Sequence, residues 1–296
     1  MRRRLIRGGS VLATALVLLW LGLGTPHRTM PRYASERLDA DGVHVRAIRA
    51  GHGDTTLVFL HGFGESLMAW RPLLDRFDRH YRILAFDLPG FGLSDKPAGL
   101  YDYASYLRWL DDFIARATSG PLVLIGHSMG GQLAAGLALQ HPDRVVAMVL
   151  IAPAGDGISP LLSDSEGIAS PATTWVVSAL GYVLPEHDST WLREPPADLA
   201  YQPVQDSAAA RAVRQVLGHF DFAAVGTDFS AIRQPVLLIW GREDPTIPFE
   251  IGERIADQLP CRRFVPLLAL HRPHQSLPDT VAAEIRVFLQ HPACGG

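Results

Sequence analysis

From Glu36 onward the chain alternates between two hydrophobic periods. Short apolar runs recur at 56–61 (TLVFLH), 82–87 (RILAFD), 122–127 (LVLIGH), 145–152 (VVAMVLIA), 236–241 (VLLIWG) and 263–270 (RFVPLLAL). Runs of this kind, without polar alternation, are what strands buried on both faces look like. Residues 43–48 (VHVRAI) alternate instead and follow Asp41-Gly42, the pattern of a strand in an edge hairpin. Between these runs, helical spacing of apolar positions predicts helices over 103–117, 132–140, 249–259 and 280–290. Strands alternating with helices predict an α/β fold, a mostly parallel sheet covered by helices.

The alternation breaks twice. Between 155 and 230 it gives way to a stretch with Pro160, Pro171, Pro185, Pro195, Pro196 and Pro203, in which Trp175, Trp191, Phe220 and Phe222 are set. A connection of that length carries structure of its own. It reads as a mostly helical cap over the carboxyl end of the sheet, where open α/β sheets bind ligands, or else as a packing element with no part in substrate choice. The other break is residues 1–30: Arg2, Arg3, Arg4 and Arg7, then an uncharged run from Gly8 to Pro26, then His27 and Arg28. The run is close to the ~20 residues that cross a bilayer as a helix. Positive charge on its short side keeps that end in the cytoplasm and sends the remainder out. A membrane anchor is the favoured reading, and a removed signal peptide cut near Gly22 and Gly24 is the alternative. The catalytic domain is accordingly expected on the extracytoplasmic side, with membrane association through this segment.

Composition narrows the classes. With 296 residues, 48% of them hydrophobic, the chain can bury a sizeable core. Its formal net charge is −3 and its cations are scattered beyond the N-terminus, so no basic stripe offers itself to nucleic acid. Cys261 and Cys294 are too few for a disulfide framework and read as a core thiol and a tail thiol.

Chemistry concentrates where LVLIGH runs into a helix starting near Met129, in the stretch LIGHSMGG. Ser128 stands between Gly126 and Gly130, the Gly-x-Ser-x-Gly spacing of a nucleophile on a sharp strand-to-helix turn. The two glycines remove side chains that would collide as strand and helix approach, and the helix N-terminus favours negative charge. Such a turn strains the backbone by about 1–3 kcal/mol, which an ordinary turn has no reason to bear. Three other segments join it. HGFGES, at 61–66, follows a predicted strand, and its Gly-lined loop offers the Phe63 N–H as an oxyanion donor beside that of Met129. WGREDPTIP, at 240–248, ends a strand with Asp244, and LHRPHQSLP, at 270–278, holds His271. Ser128, Asp244, His271 is the chain order of this elbow chemistry.

With these motifs in that order, the chain from about Val43 to Leu289 resembles the α/β-hydrolase-fold enzymes, in their cap-bearing esterase and lipase branch. FDLPGFGLSDKP, at 86–97, is similar to that family's Asp-x-Pro-Gly-x-Gly-x-Ser loop. The resemblance implies an eight-stranded, mostly parallel sheet with helices on both faces and a helical cap. The chain then divides into the N-terminal segment 1–30, core 31–154, cap 155–230 and core 231–296. Two departures bear on loop geometry: Leu270 stands where the family commonly has Gly, and Ser276 where it has Glu, while Pro278 keeps its family spacing from His271.

Each assignment has a rival. His274 competes with His271 as base, and Asp156 with Asp244 as acid; Glu243 falls on the wrong side of its turn. His61 and His127, at strand ends beside Gly62 and the serine, read as groups that orient neighbouring loops. Glu65 and Ser66 either line the pocket or start the next helix, and Asp87 reads as a cap on its own loop. His271 and His274 lack an acidic or thiolate partner for a metal site, so none is expected. The triad would act by acyl transfer on a small-molecule ester through an acyl-enzyme, and needs no cofactor. Serine relatives also include carbon–carbon bond hydrolases and cofactor-free perhydrolases, and some members of the fold only bind ligands.

Overall fold

A computed structural model describes residues 33–157, 207–224 and 228–292. The N-terminal segment, most of the cap stretch and Cys294 lie outside the described residues. Among the described residues no helix is long and apolar enough to cross a membrane.

Eight strands form one sheet: β1 (Glu36–Ala40), β2 (Val43–Gly51), β3 (Thr56–Leu60), β4 (Arg82–Phe86), β5 (Leu122–His127), β6 (Val145–Ile151), β7 (Val236–Gly241) and β8 (Arg262–Leu267). Their spatial order is β1-β2-β4-β3-β5-β6-β7-β8. The first two joins are antiparallel and the rest parallel. Asp41 and Gly42 link β1 to β2 with φ of 54° and 76°, the left-handed pair that a two-residue hairpin of matching twist requires.

Period-two alternation divides each central strand between two layers. Val58, Leu60, Leu84, Phe86, Leu124, Met148, Leu150 and Leu238 face one core; Leu57, Phe59, Ile83, Val123, Ile125, Val149 and Ile239 face the other. The first core is closed by α2 (Tyr103–Ala117), α3 (Met129–Gln140), α4 (Ser207–His219) and α5 (Phe249–Gln258). The second is closed by a 3-10 turn at Leu67–Trp70, by α1 (Arg71–Leu74) and by α7 (Pro278–Gln290), which follows the single turn α6 (Pro273–Ser276). Helix α2 starts where Asp102 accepts the Ser105 N–H at 2.8 Å, a side-chain cap. Helix α4, in the stretch 155–230 expected to form a cap, buries Ala209, Ala212, Val213 and Val216 in the first core.

Two expectations need correction. β8 is not buried on both faces: as an edge strand it is half-buried throughout, which is also why it accepts Pro266, a residue with no N–H for the ladder. Cys261 is not a free thiol but is disulfide-bonded.

Asp87, just past β4, does more than cap its loop. It accepts N–H groups from Leu67 and Leu93, each at 2.7 Å, and is gripped by Arg46 through Nε at 2.6 Å and Nη2 at 3.1 Å. Both side chains are buried, so the pair binds the loop after β4 to β2 and to the Leu67 turn at once. Asp87→Ala would remove the carboxylate that grips the buried Arg46 and accepts the Leu67 and Leu93 N–H groups. The expected loss is about 3–5 kcal/mol of stability by urea unfolding, and a change under about 0.5 kcal/mol would refute the role of this pair.

Candidate active site

The parallel strands deliver their carboxyl ends, and the loops that follow them, to one edge of the sheet. Four of those loops build the site.

Ser128 sits between β5 and α3 at φ 51° and ψ −120°, and its side chain makes no capping hydrogen bond to the helix it heads. The strained backbone is held from every side. The Ser128 N–H donates to Ile151 O at 3.1 Å, and its carbonyl accepts from Gly131, Gln132 and Ala154 at 2.9, 3.1 and 3.0 Å. Close approach explains the flanking glycines. A Cβ on Gly126 would lie 2.5 Å from Gly130 O, and one on Gly130 would overlap the carbonyl oxygens of Leu60 and His61. Met129 follows at the first helical position, where the N–H has no intrahelical acceptor.

Asp244, after β7, is buried. Its Oδ1 accepts N–H groups from Thr246 and Ile247 at 2.8 and 2.9 Å, which aims Oδ2 at His271 Nδ1, 2.7 Å away. That bond puts the proton of a neutral His271 on Nδ1 and leaves Nε2 as the basic atom. Burial lowers the His271 pKa from its ordinary value, against the upward pull of Asp244. The rivals are placed elsewhere. Asp156 pairs with Arg254 at 3.0 Å, Glu243 is exposed, and His274 is buried against Trp70 with ring centroids 4.6 Å apart.

His61 orients its loop as a neutral ring: Nδ1 donates to Gly62 O at 2.8 Å and Nε2 accepts the Leu88 N–H at 2.9 Å. Phe63, on the same loop, meets Phe91 and Phe222 edge-on at 5.8 and 6.4 Å. Phe222 O accepts the Gly155 N–H at 2.8 Å, one residue beyond Ala154, which donates to Ser128 O. An aromatic wall thus stands beside the serine turn.

Sequence reasoning left Glu65 undecided and did not find Arg272. Glu65 is buried; its Oε2 accepts the Gly62 N–H at 2.8 Å and lies 3.0 Å from His127 Nδ1, and its Oε1 lies 2.8 Å from Arg272 Nε. His127 Nε2 in turn donates to the carbonyl of His271 at 2.9 Å, and the two rings lie 4.7 Å apart. The residue before Ser128 therefore touches the turn that carries His271. A Cβ on Gly62 would sit 2.8 Å from His127 Nδ1, so that glycine makes room for the pair. Ligand atoms of Glu65, His127 and His274 lie within 4.8 Å of one another, the span of a three-ligand metal set, but Glu65 and His127 already spend those atoms on each other. No sequence spacing announces this cluster, because its members come from three separate loops.

Comparison with known proteins agrees with the architecture. The alpha/beta hydrolase fold family model matches residues 55–274. The chain is 30% identical over 236 residues to the uncharacterized hydrolase YugF of Bacillus subtilis, covering 76% of this chain and 86% of that one. It is 29% identical over 248 residues to the 2-hydroxy-6-oxo-6-(2'-aminophenyl)hexa-2,4-dienoic acid hydrolase of Metapseudomonas resinovorans, covering 76% and 80%. Among solved structures it is similar to a membrane phospholipase A, a bacterial virulence factor, with TM-score 0.69, 25% identity and 99% of each chain covered.

Proposed function

The chain belongs to the alpha/beta hydrolase fold family, and from that premise we propose that it is a serine hydrolase cleaving carboxylic esters of apolar or lipid-like substrates. The 2.7 Å bond between His271 and Asp244, at a site where Ser128 is held at φ 51°, is the observation that carries this reading. His271 Nε2 takes the Ser128 proton as the hydroxyl oxygen attacks the ester carbonyl, while Asp244 steadies the imidazolium that forms. The N–H groups of Phe63 and Met129 receive the oxyanion, each contributing about 2.7–4 kcal/mol at the transition state. The alcohol leaves with a proton from His271, and water activated by the same ring frees the acid.

Apolar substrates would suit the half-buried rings of Phe63 and Phe222 beside the serine turn, which pack on each other, Phe63 also on the buried Phe91. The likeness to a membrane phospholipase A supports the lipid-like class. The relative that acts on a 2-hydroxy-6-oxo dienoic acid favours a second reading, a carbon–carbon bond hydrolase with the same serine machinery. The disulfide at Cys261 supports a domain working outside the cytoplasm, since such bonds persist in oxidising compartments, and residues 1–30 would tether it to the membrane.

A fluorophosphonate is expected to label the wild-type protein and not Ser128→Ala. Hydrolysis of p-nitrophenyl esters is expected to improve with acyl length. Turnover of a vinylogous 1,5-diketone acid with no ester turnover would instead select the second reading, and absence of labelling would end both. Because His271 acts as the neutral base, activity is lost as pH falls through its pKa. Burial has lowered that value, so kcat/KM is expected to hold below about pH 6.5, the ordinary imidazole midpoint. Asp244→Asn, which invites the wrong tautomer, is expected to lower kcat ~10⁴-fold; a loss of under tenfold would remove Asp244 from the role. Alkaline phosphatase, active only where its disulfides can form, is expected to be active when fused after Gly296 in a bacterial host, and a fusion that accumulates without activity would refute export.

A further inference from the structure

The acyl-transfer steps make no use of Glu65, His127 or His274, yet all three are buried together against it, with Arg272 at their edge. His127 faces acceptors on both sides: Glu65 Oε2 at 3.0 Å from Nδ1 and His271 O at 2.9 Å from Nε2. A carbonyl only accepts, so Nε2 carries a hydrogen. A neutral ring would then point its Nδ1 lone pair at Glu65. That carboxyl already meets the Gly62 N–H and the Arg272 guanidinium, each at 2.8 Å, partners that favour its ionised form. Both His127 nitrogens therefore face acceptors, an arrangement in which each can be satisfied only by donating. His274, 4.6 Å away, has no such surroundings: its Nδ1 has no hydrogen-bond partner among the described residues, and burial keeps it well below the ordinary imidazole range.

Building on the serine-hydrolase reading, we propose that Glu65 and His127 are positioning residues: a proton held on His127 by Glu65 clamps the His271 turn to the nucleophile turn and the oxyanion loop. Glu65 accepts from Gly62 in the oxyanion loop, His127 directly precedes Ser128, and its second N–H holds the His271 carbonyl. A charged donor makes that last bond roughly twice as strong as a neutral one. The groups facing the clamp are Arg272, His271 and His274, with His61 behind Glu65 and the Arg46–Asp87 pair behind His61. The His127 charge also works against protonation of His271, whose neighbour it is.

The proton can be counted without turnover. In nitrogen-15-labelled Ser128→Ala protein near neutral pH, His127 is expected to show both ring nitrogens protonated, and adding Glu65→Gln is expected to leave one. A single protonated nitrogen in the first protein overturns the proposal, as does zinc that binds there and is lost with His274→Ala. In the active enzyme, Glu65→Gln and, separately, His127→Asn are expected to lower kcat about a hundredfold, the effect of misplacing a catalytic group, with KM little changed. Both are expected to move the acid limb of kcat/KM to higher pH, since a neighbouring cation has gone. A folding lesion would reduce the fluorophosphonate-titrated active fraction and leave the limb in place; that result, or an unchanged kcat, overturns positioning. Wild-type protein with a doubly protonated His127 but no labelled serine would sink the hydrolase reading and leave the clamp standing.

Discussion

A serine backbone at φ 51° survives only where its surroundings leave it nowhere else to go, and much of this structure supplies that confinement. Helix α3 is pressed so closely onto β3 and β5 that no side chain fits at Gly126 or Gly130. Four backbone hydrogen bonds then fix both peptide groups of Ser128, drawing on β6, on α3 and on the segment after β6. The strain of about 1–3 kcal/mol is small beside the packing of two apolar layers on a sheet whose central strands are almost wholly buried. The fold can therefore present a hydroxyl that is not spent on capping its own helix.

Around that point the molecule concentrates charge in places where charge is costly. Arg46 and Asp87 lock the loop after β4, and Glu65 and Arg272 meet beside His127 at the carboxyl edge, while the buried Asp244 carboxylate holds the His271 ring by a hydrogen bond. Buried ion pairs contribute little net stability, because the loss of water offsets most of the attraction. What they supply is direction, since a carboxylate whose lone pairs are all assigned cannot rotate. Asp244 is the plainest case, its Oδ1 held by two backbone N–H groups so that Oδ2 faces the imidazole. Directional rigidity of this kind is what acyl transfer demands of a base and an oxyanion loop.

The proposed substrate class follows from what lies beside the charged groups. Phe63 belongs both to the loop proposed to receive the oxyanion and to an aromatic array with Phe91, Phe222 and Phe220. One residue can then offer its backbone to the reacting carbonyl and its ring to an apolar chain. The proposal that residues 1–30 tether the domain outside the cytoplasm, and the disulfide at Cys261, go with such a substrate class.

The order and type of the elements were legible in the amino-acid pattern because hydrophobic period reports local geometry: α2 was expected over 103–117 and spans Tyr103–Ala117, and the Asp41-Gly42 turn makes its hairpin. The triad candidates and the glycines around Ser128 could be named because strand-to-helix junctions leave short, local signatures. Asp244 was preferred to Asp156 from its place in the chain order of the triad, and the coordinates add the 2.7 Å bond to His271 and the pairing of Asp156 with Arg254. The Arg46–Asp87 pair, the half-buried edge at β8, the disulfide at Cys261 and the Glu65–His127 cluster were decided by tertiary structure alone. Periodicity along a chain records which face a residue turns to its neighbours in sequence; it carries no record of which distant loop the folded sheet will bring within 3 Å of it.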